Sequence, residues 1–117
     1  MAFKFENLQV WQKAIDYTEA IHQVTLTFPK EELYILTSQI KRAADSIALN
    51  IAEGSTGQTH SEFRRFLGFA IRSGIEVVSC LHIAKRHNLI EEERFNELYN
   101  EAGSIIRMIQ ALRNSIK

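Results

Sequence analysis

The sequence predicts an all-α protein, an antiparallel up-and-down four-helix bundle folded as one domain. Three observations carry that prediction. Apolar residues recur at three- and four-residue steps in four separate stretches, each several helical turns long. Pro29 is the only proline and the glycines number 5, so little interrupts those stretches. No period-two alternation, internal repeat or low-complexity segment competes with them. Amphipathic helices joined by short connections bury their apolar faces against one another.

The first helix is expected over about residues 8–28, with Asn7 as its cap. Trp11, Ala14, Ile15, Thr18, Ile21 and Thr25 share one face, flanked by Val10, Tyr17, Val24 and Phe28. That arc is wider than one core face requires. Pro29 breaks the helix, since its ring and missing N–H do not fit a helix interior. The second helix is expected over about 36–53. Leu36, Ile40, Ala43, Ala44, Ile47 and Ile51 form its apolar face, and Gln39, Arg42, Ser46, Asn50 and Glu53 a polar stripe beside it. Its alanines allow close approach of a neighbour, and Gly54 is expected to end it, with a loop through Gln58.

The third helix is expected over about 60–87, opened by a capping box in which Thr59 and Glu62 satisfy each other's backbone N–H groups. Its core face is Phe63, Leu67, Ala70, Gly74, Val77, Val78 and Leu81. Phe69 and Ile83 lie off that face and are candidate contacts with another subunit; the bland alternative is that isolated exposed apolar residues are ordinary. Asn88 is placed to close this helix. The fourth is expected over about 91–116, with Glu91, Glu92 and Glu93 at its positive end. Phe95, Leu98, Tyr99, Ala102, Ile105, Ile106, Ile109, Leu112 and Ile116 give its period, and Arg107, Arg113 and Lys117 favour its C-terminal end.

A chain of 117 residues, 45% hydrophobic and 24% charged, suits one domain with one core. Lys+Arg and Asp+Glu are both 14, and zero net charge argues against unspecific polyanion binding while leaving room for a local patch. Cys80 is the only cysteine, which excludes an intrachain disulfide and fits a reducing cytoplasm. No signal-peptide pattern opens the chain, and no apolar run approaches the roughly 20 residues of a membrane span. A cytoplasmic location without membrane contact is therefore expected.

Few constellations point to chemistry. A di-iron bundle needs two Glu-x-x-His motifs; Glu19 and His22 form one and no second exists, so His22 reads as a solvated or flanking residue and no metal or cofactor is expected. Cys80 and His82 are two apart on a helix and point away from each other. The run Gly54 to Gly57 has the composition of a phosphate loop but lacks the lysine and the preceding strand. These absences argue against an enzyme. The polar stripe of the second helix is either a hydrogen-bonding seam, with Arg42 paired to Glu53 or Glu76, or a binding surface.

The charges are uneven. Lys41, Arg42, Arg64, Arg65, Arg72, Lys85 and Arg86 face only Asp45, Glu53, Glu62 and Glu76 over residues 41–86, while 104–117 carries no acid. Lys41, Arg42, Arg64, Arg65 and Arg72 are the candidate nucleic-acid contacts. An ordinary solvated helix surface is the alternative.

The run Gln39 to Gly54, QIKRAADSIALNIAEG, resembles the signature of the bacterial family of 23S rRNA intervening-sequence proteins, also called S23-type ribosomal proteins. Phe5 to Ala14 and Phe66 to Val78 resemble the same family, so the likeness spans nearly the whole chain. It implies a non-catalytic four-helix bundle. A more distant resemblance, to the accessory protein of diversity-generating retroelements, implies a homopentamer that binds structured RNA or DNA and a partner protein such as a reverse transcriptase. A rival expectation keeps the oligomer but makes it a protein-interaction scaffold with no nucleic-acid role, based on the wide apolar arcs of the first and third helices.

Overall fold

In the computed structural model, which describes residues 3–57 and 59–117, the chain forms four α-helices and, among those residues, no strand. They are α1 (Gln9–Thr25), α2 (Ser38–Ser55), α3 (His60–Arg86) and α4 (Glu92–Ser115). α1 packs on α2 and α4, and α3 packs on the same two, so the helices stand at the corners of a square. Gln39 reaches Glu76, Ser46 reaches Ser73, and Gly54 abuts Phe63 and Phe66, which makes α2 and α3 antiparallel. Gly74 abuts Ile106 and Gly68 lies against Arg113, which makes α3 and α4 antiparallel too. The expected up-and-down bundle results, 43 × 25 × 20 Å in extent.

The core is aliphatic along its axis. Ile21, Ile40, Ile47, Ile51, Leu67, Leu81, Leu98 and Ile109 are fully buried, one to three from each helix. Leu36, Ala43 and Ala44 are buried with them, so the expected α2 face is the observed one. The α1 face is turned by about one residue. Val10, Ala14, Tyr17, Ile21 and Val24 are buried, Trp11 and Thr18 sit at the margin, and Ile15 is exposed. Tyr17 explains the turn. Its hydroxyl donates to the Leu98 carbonyl at 2.9 Å, which draws a large ring with a polar tip into the α1–α4 seam.

Several element ends differ from expectation for local reasons. Asn7 does not cap α1. Lys4–Asn7 forms one 3₁₀ turn, in which the Glu6 carboxylate accepts the Phe3 N–H at 2.7 Å, and Leu8 precedes the helix. α1 stops at Thr25, because the next three N–H groups bond three residues back and tighten the chain. A π-helical turn, Leu33–Thr37, runs directly into α2 and starts the helical path earlier than expected. Gly54 does not end α2, which continues to Ser55, and no glycine among the described residues has positive φ. At α3, Thr59 Oγ1 accepts the Glu62 N–H at 3.0 Å, one half of the expected box. Asn88 closes that helix at φ 59, with Leu89 N–H on the Ala84 carbonyl and Asn88 N–H on the Lys85 carbonyl, a Schellman closure.

Contrary to the expectation that no apolar run suits a membrane span, α3 is long and apolar enough to cross one by length and composition. Phe66–Ile83 carries two charged residues, Arg72 and Glu76, and its Gly, Ser and Cys interrupt the apolar run without adding more. In the bundle Leu67, Ala70, Val77 and Leu81 of this helix are core residues between α2 and α4.

The place where α2 meets α3 most closely is Gly54. A Cβ there would lie 2.6 Å from Phe66 Cβ and 3.1 Å from a ring carbon of Phe63. The nearer atom is rooted in the helix and has no freedom to yield. Gly54→Ala is therefore expected to destabilise the fold by about 1–3 kcal/mol, despite alanine's better helix propensity. Urea unfolding checks this, and a stabilised variant would show that the helices separate freely. Burial pushes the Tyr17 hydroxyl above its ordinary value of 10.0, with the Glu101 charge adding and the Arg94 charge opposing. The unfolded chain then loses that proton first, so stability is whole below pH 10.0 and declines above it. Tyr17→Phe should cost about 1 kcal/mol near neutrality and flatten the alkaline limb of the stability curve. An equally steep limb would assign the loss to other groups.

Candidate functional site

Residues Arg65, Phe69, Arg72, Glu76 and, two turns on, Ile83 follow the helical period on α3 and form its outer stripe. All five are exposed, as expected for Phe69 and Ile83, which are 37% and 45% exposed. The N-terminal half of the stripe borders a groove of about 340 Å³ between α3 and α4. Arg65, Phe69 and Arg72 line it from α3, and Gln110 and Arg113 from α4. No carboxylate is among its lining residues. The Arg65 guanidinium sits 5.3 Å from the Phe66 ring centre and 5.8 Å from that of Phe69, held by cation–π attraction to two rings that meet edge to face.

Arg64, one residue away, has a different task. A helical step of about 100° turns it toward α4. Its Nη1 donates to the Arg113 carbonyl at 2.8 Å and to the Ile116 carbonyl at 2.9 Å. Those carbonyls belong to the end of α4, where the four-residue ladder of helical bonds runs out and the Arg113 carbonyl has only a 3.3 Å bond from the Ile116 N–H. In return Arg113 Nε donates to the Arg64 carbonyl at 3.1 Å. Two arginines thus lock the end of α4 to the start of α3, each through the other's backbone. Arg64 is half-buried by this lock, whereas Arg65 and Arg72 remain at the surface.

Lys41 and Arg42 lie on α2, away from this groove. Arg42 lines a separate open cleft of about 820 Å³ with Tyr34, Ile35, Asp45, Leu49 and Glu76. Charge there is mixed. The expected pairing of Arg42 with Glu53 or Glu76 does not occur among the described residues; the Gln39 amide donates to Glu76 instead, at 3.3 Å. The polar stripe of α2 divides. Asn50 donates to Ser46 Oγ at 2.9 Å, and Ser73 Oγ of α3 meets the same oxygen at 3.0 Å, a seam between helices. Gln39 and Arg42 belong to the cleft wall.

The remaining reactive groups have structural partners. His22 Nε2 lies 2.9 Å from Asp45 Oδ1, which also accepts the Thr18 hydroxyl, so these residues join α1 to α2. The expected solvated or flanking His22 is thus half-buried and engaged. Glu19 of the same motif accepts the Gln23 amide at 2.9 Å. Among the described residues no three His, Cys, Asp or Glu gather as a metal-binding group. Cys80 is buried; burial first, and then the Glu76 charge, push its thiol up and away from the reactive thiolate. His82 packs edge-on against Phe95 and Tyr99, with ring centres 5.1 and 5.9 Å away.

Arg113 and Gln110 are the groove residues that sequence reasoning did not assign to a site. The acid-free stretch at residues 104–117 was the available signal. What it lacked was the register that brings Arg113 over Gly68.

The family described as 23S rRNA-intervening sequence protein matches residues 6–111. A solved structure similar to this chain is a protein of unknown function from the S23 ribosomal protein family of Bacteroides thetaiotaomicron. It has 20% sequence identity, covers 89% of this chain and 97% of its own, and superposes with a TM-score of 0.80, a likeness of fold. No curated protein matches the chain. With its signature run on α2 and nearly its whole length matched, this chain belongs to the 23S rRNA-intervening sequence protein family.

Proposed function

We propose that the chain is a non-catalytic, homo-oligomeric bundle that associates with structured RNA or DNA through basic residues repeated on the oligomer. The observation that carries this role is the acid-free groove between α3 and α4, with Arg65, Arg72 and Arg113 around one opening. Like charges gathered without a counterion favour a polyanion. Zero net charge over the chain makes that attraction local. Lys41 and Arg42 are a separate pair of cations on α2, Arg42 in a cleft of mixed charge, and Arg64 contributes by holding Arg113 in place. The names of the matching family and of the structural neighbour both refer to the ribosome or its RNA, which favours RNA as the polyanion.

Oligomerisation is supported by exposed apolar residues on opposite sides of the square. Ile15 and Leu49 stand beside the α1–α2 groove, Ile75 and Tyr99 beside the α3–α4 groove, and Ile83 on the α3 edge. Two different patches on opposite faces fit head-to-tail association, which closes into a ring where the rotation between neighbours permits. Five subunits is the size implied by the resemblance to the retroelement accessory protein. Phe69 lines the basic groove itself, so Ile83 is the cleaner interface probe. A second role, as a scaffold for a partner protein such as a reverse transcriptase, is favoured by Tyr34 and Ile35, which are 89% and 65% exposed beside the α2 cleft.

Fluorescence anisotropy against an RNA hairpin and a DNA duplex, at low and near-physiological salt, tests the nucleic-acid role. Reversing Arg65 and Arg72 together to Glu should weaken binding at least about tenfold and lower the salt slope by about 2. Unchanged affinity and slope would remove those residues, and no binding by the parent at low salt would leave the scaffold role. Light scattering on a sizing column tests assembly. The parent is expected as an oligomer, and Ile75→Asp or Ile83→Asp as a smaller species. A monomeric parent at micromolar concentration would end the ring and its avidity.

A further inference from the structure

We infer that the groove end where α4 stops is a preformed site for a phosphate group, with Arg113 as its fixed donor. The inference deepens the nucleic-acid role by naming the group bound, and depends on that role only for the source of the phosphate. Three observations converge on Arg113. Its Nε–H is bonded to the Arg64 carbonyl at 3.1 Å, and its own carbonyl accepts from Arg64, so both ends of the residue are held. Its guanidinium passes over Gly68, with three of its atoms 3.5–3.9 Å from where a Cβ would stand. Alanine fits that space, but any longer side chain competes for the place of the guanidinium. Its four Nη hydrogens have no partner among the described residues, and no carboxylate lines the groove.

A guanidinium anchored through Nε presents its remaining N–H edge as a fork. That fork matches two oxygens of a phosphate, and fixing it in advance lowers the entropy cost of binding. Arg65 is held beside it over Phe66 and Phe69, Arg72 stands exposed one to two turns on, and the Gln110 amide supplies a neutral donor from α4. Several cations around one opening suit a group with three or four acceptor oxygens and up to two charges better than a single carboxylate.

The test follows the Arg113 Nε–H resonance of isotope-labelled full-length protein, identified by its loss in Arg113→Lys. Inorganic phosphate, acetate at matched ionic strength and an RNA hairpin are added in turn. Phosphate should shift the resonance saturably while acetate does not. The hairpin should shift the same resonance and compete with phosphate. Gln110→Glu, which leaves the Arg64–Arg113 lock intact and should keep the parent's helical circular dichroism, is expected to weaken phosphate binding by about tenfold. A phosphate response without hairpin binding would uphold the site, with a free phosphate compound as its source, and would count against the nucleic-acid role. No response to phosphate or hairpin, or an equal response to acetate, would overturn the site even if the hairpin still bound elsewhere on the protein.

Discussion

The close contact of α2 with α3 sets the rest of the molecule. At Gly54 the helices approach until a Cβ on one would overlap the Cβ of Phe66 on the other. Further along, the hydroxyls of Ser46 and Ser73 meet across the same interface. These contacts fix how α3 is rotated about its axis. Once Phe63, Leu67 and Ala70 face inward, the helical period alone sends Arg65, Phe69 and Arg72 outward. Gly74 then admits Ile106, α4 settles against the far side of α3, and the groove between them acquires its walls.

Adjacent arginines show how strongly that rotation decides role. Arg64 and Arg65 carry the same charge and differ by one helical step. One turns toward the last carbonyls of α4 and holds the end of the helix. The other stays in water over two aromatic rings. A helix C-terminus attracts cations through both its unpaired carbonyls and its dipole, so a long cationic side chain within reach is drawn there. Arg113 commits only its Nε–H to that lock, on the Arg64 carbonyl, and its Nη edge faces the groove.

The polar residues divide in the same manner. Ser46, Asn50 and Ser73 satisfy one another inside the α2–α3 seam, and Tyr17 satisfies its hydroxyl on an α4 carbonyl. His22, Asp45 and Thr18 join α1 to α2 at the margin of the core. Each helix pair thus carries at least one polar contact that specifies its register, beside apolar packing that is indifferent to small slips. Arg42 and Glu76 line one cleft without pairing directly, which gives that side of α2 a mixed charge quite unlike the acid-free groove on α3 and α4.

The sequence by itself determined four helices, their number, order and approximate ends, because the 3.6-residue period of Ile40, Ala44, Ile47 and Ile51, or of Phe95, Leu98, Ala102, Ile105 and Ile109, is a local property. Asn88 and Thr59 were legible for the same reason, since capping is decided within a few residues. Local pattern also set the exposure of Phe69 and Ile83. Only the tertiary structure decided why Gly54 is a glycine, because the overlapping atom lies on another helix. It alone turned α1 about Tyr17, through a carbonyl 81 residues away. It also split Arg64 from Arg65 and Arg72 and brought Arg113 beside those two, since a site built across two helices depends on their register. Register comes from how side chains of different helices interlock, and the period of any one helix does not contain that information.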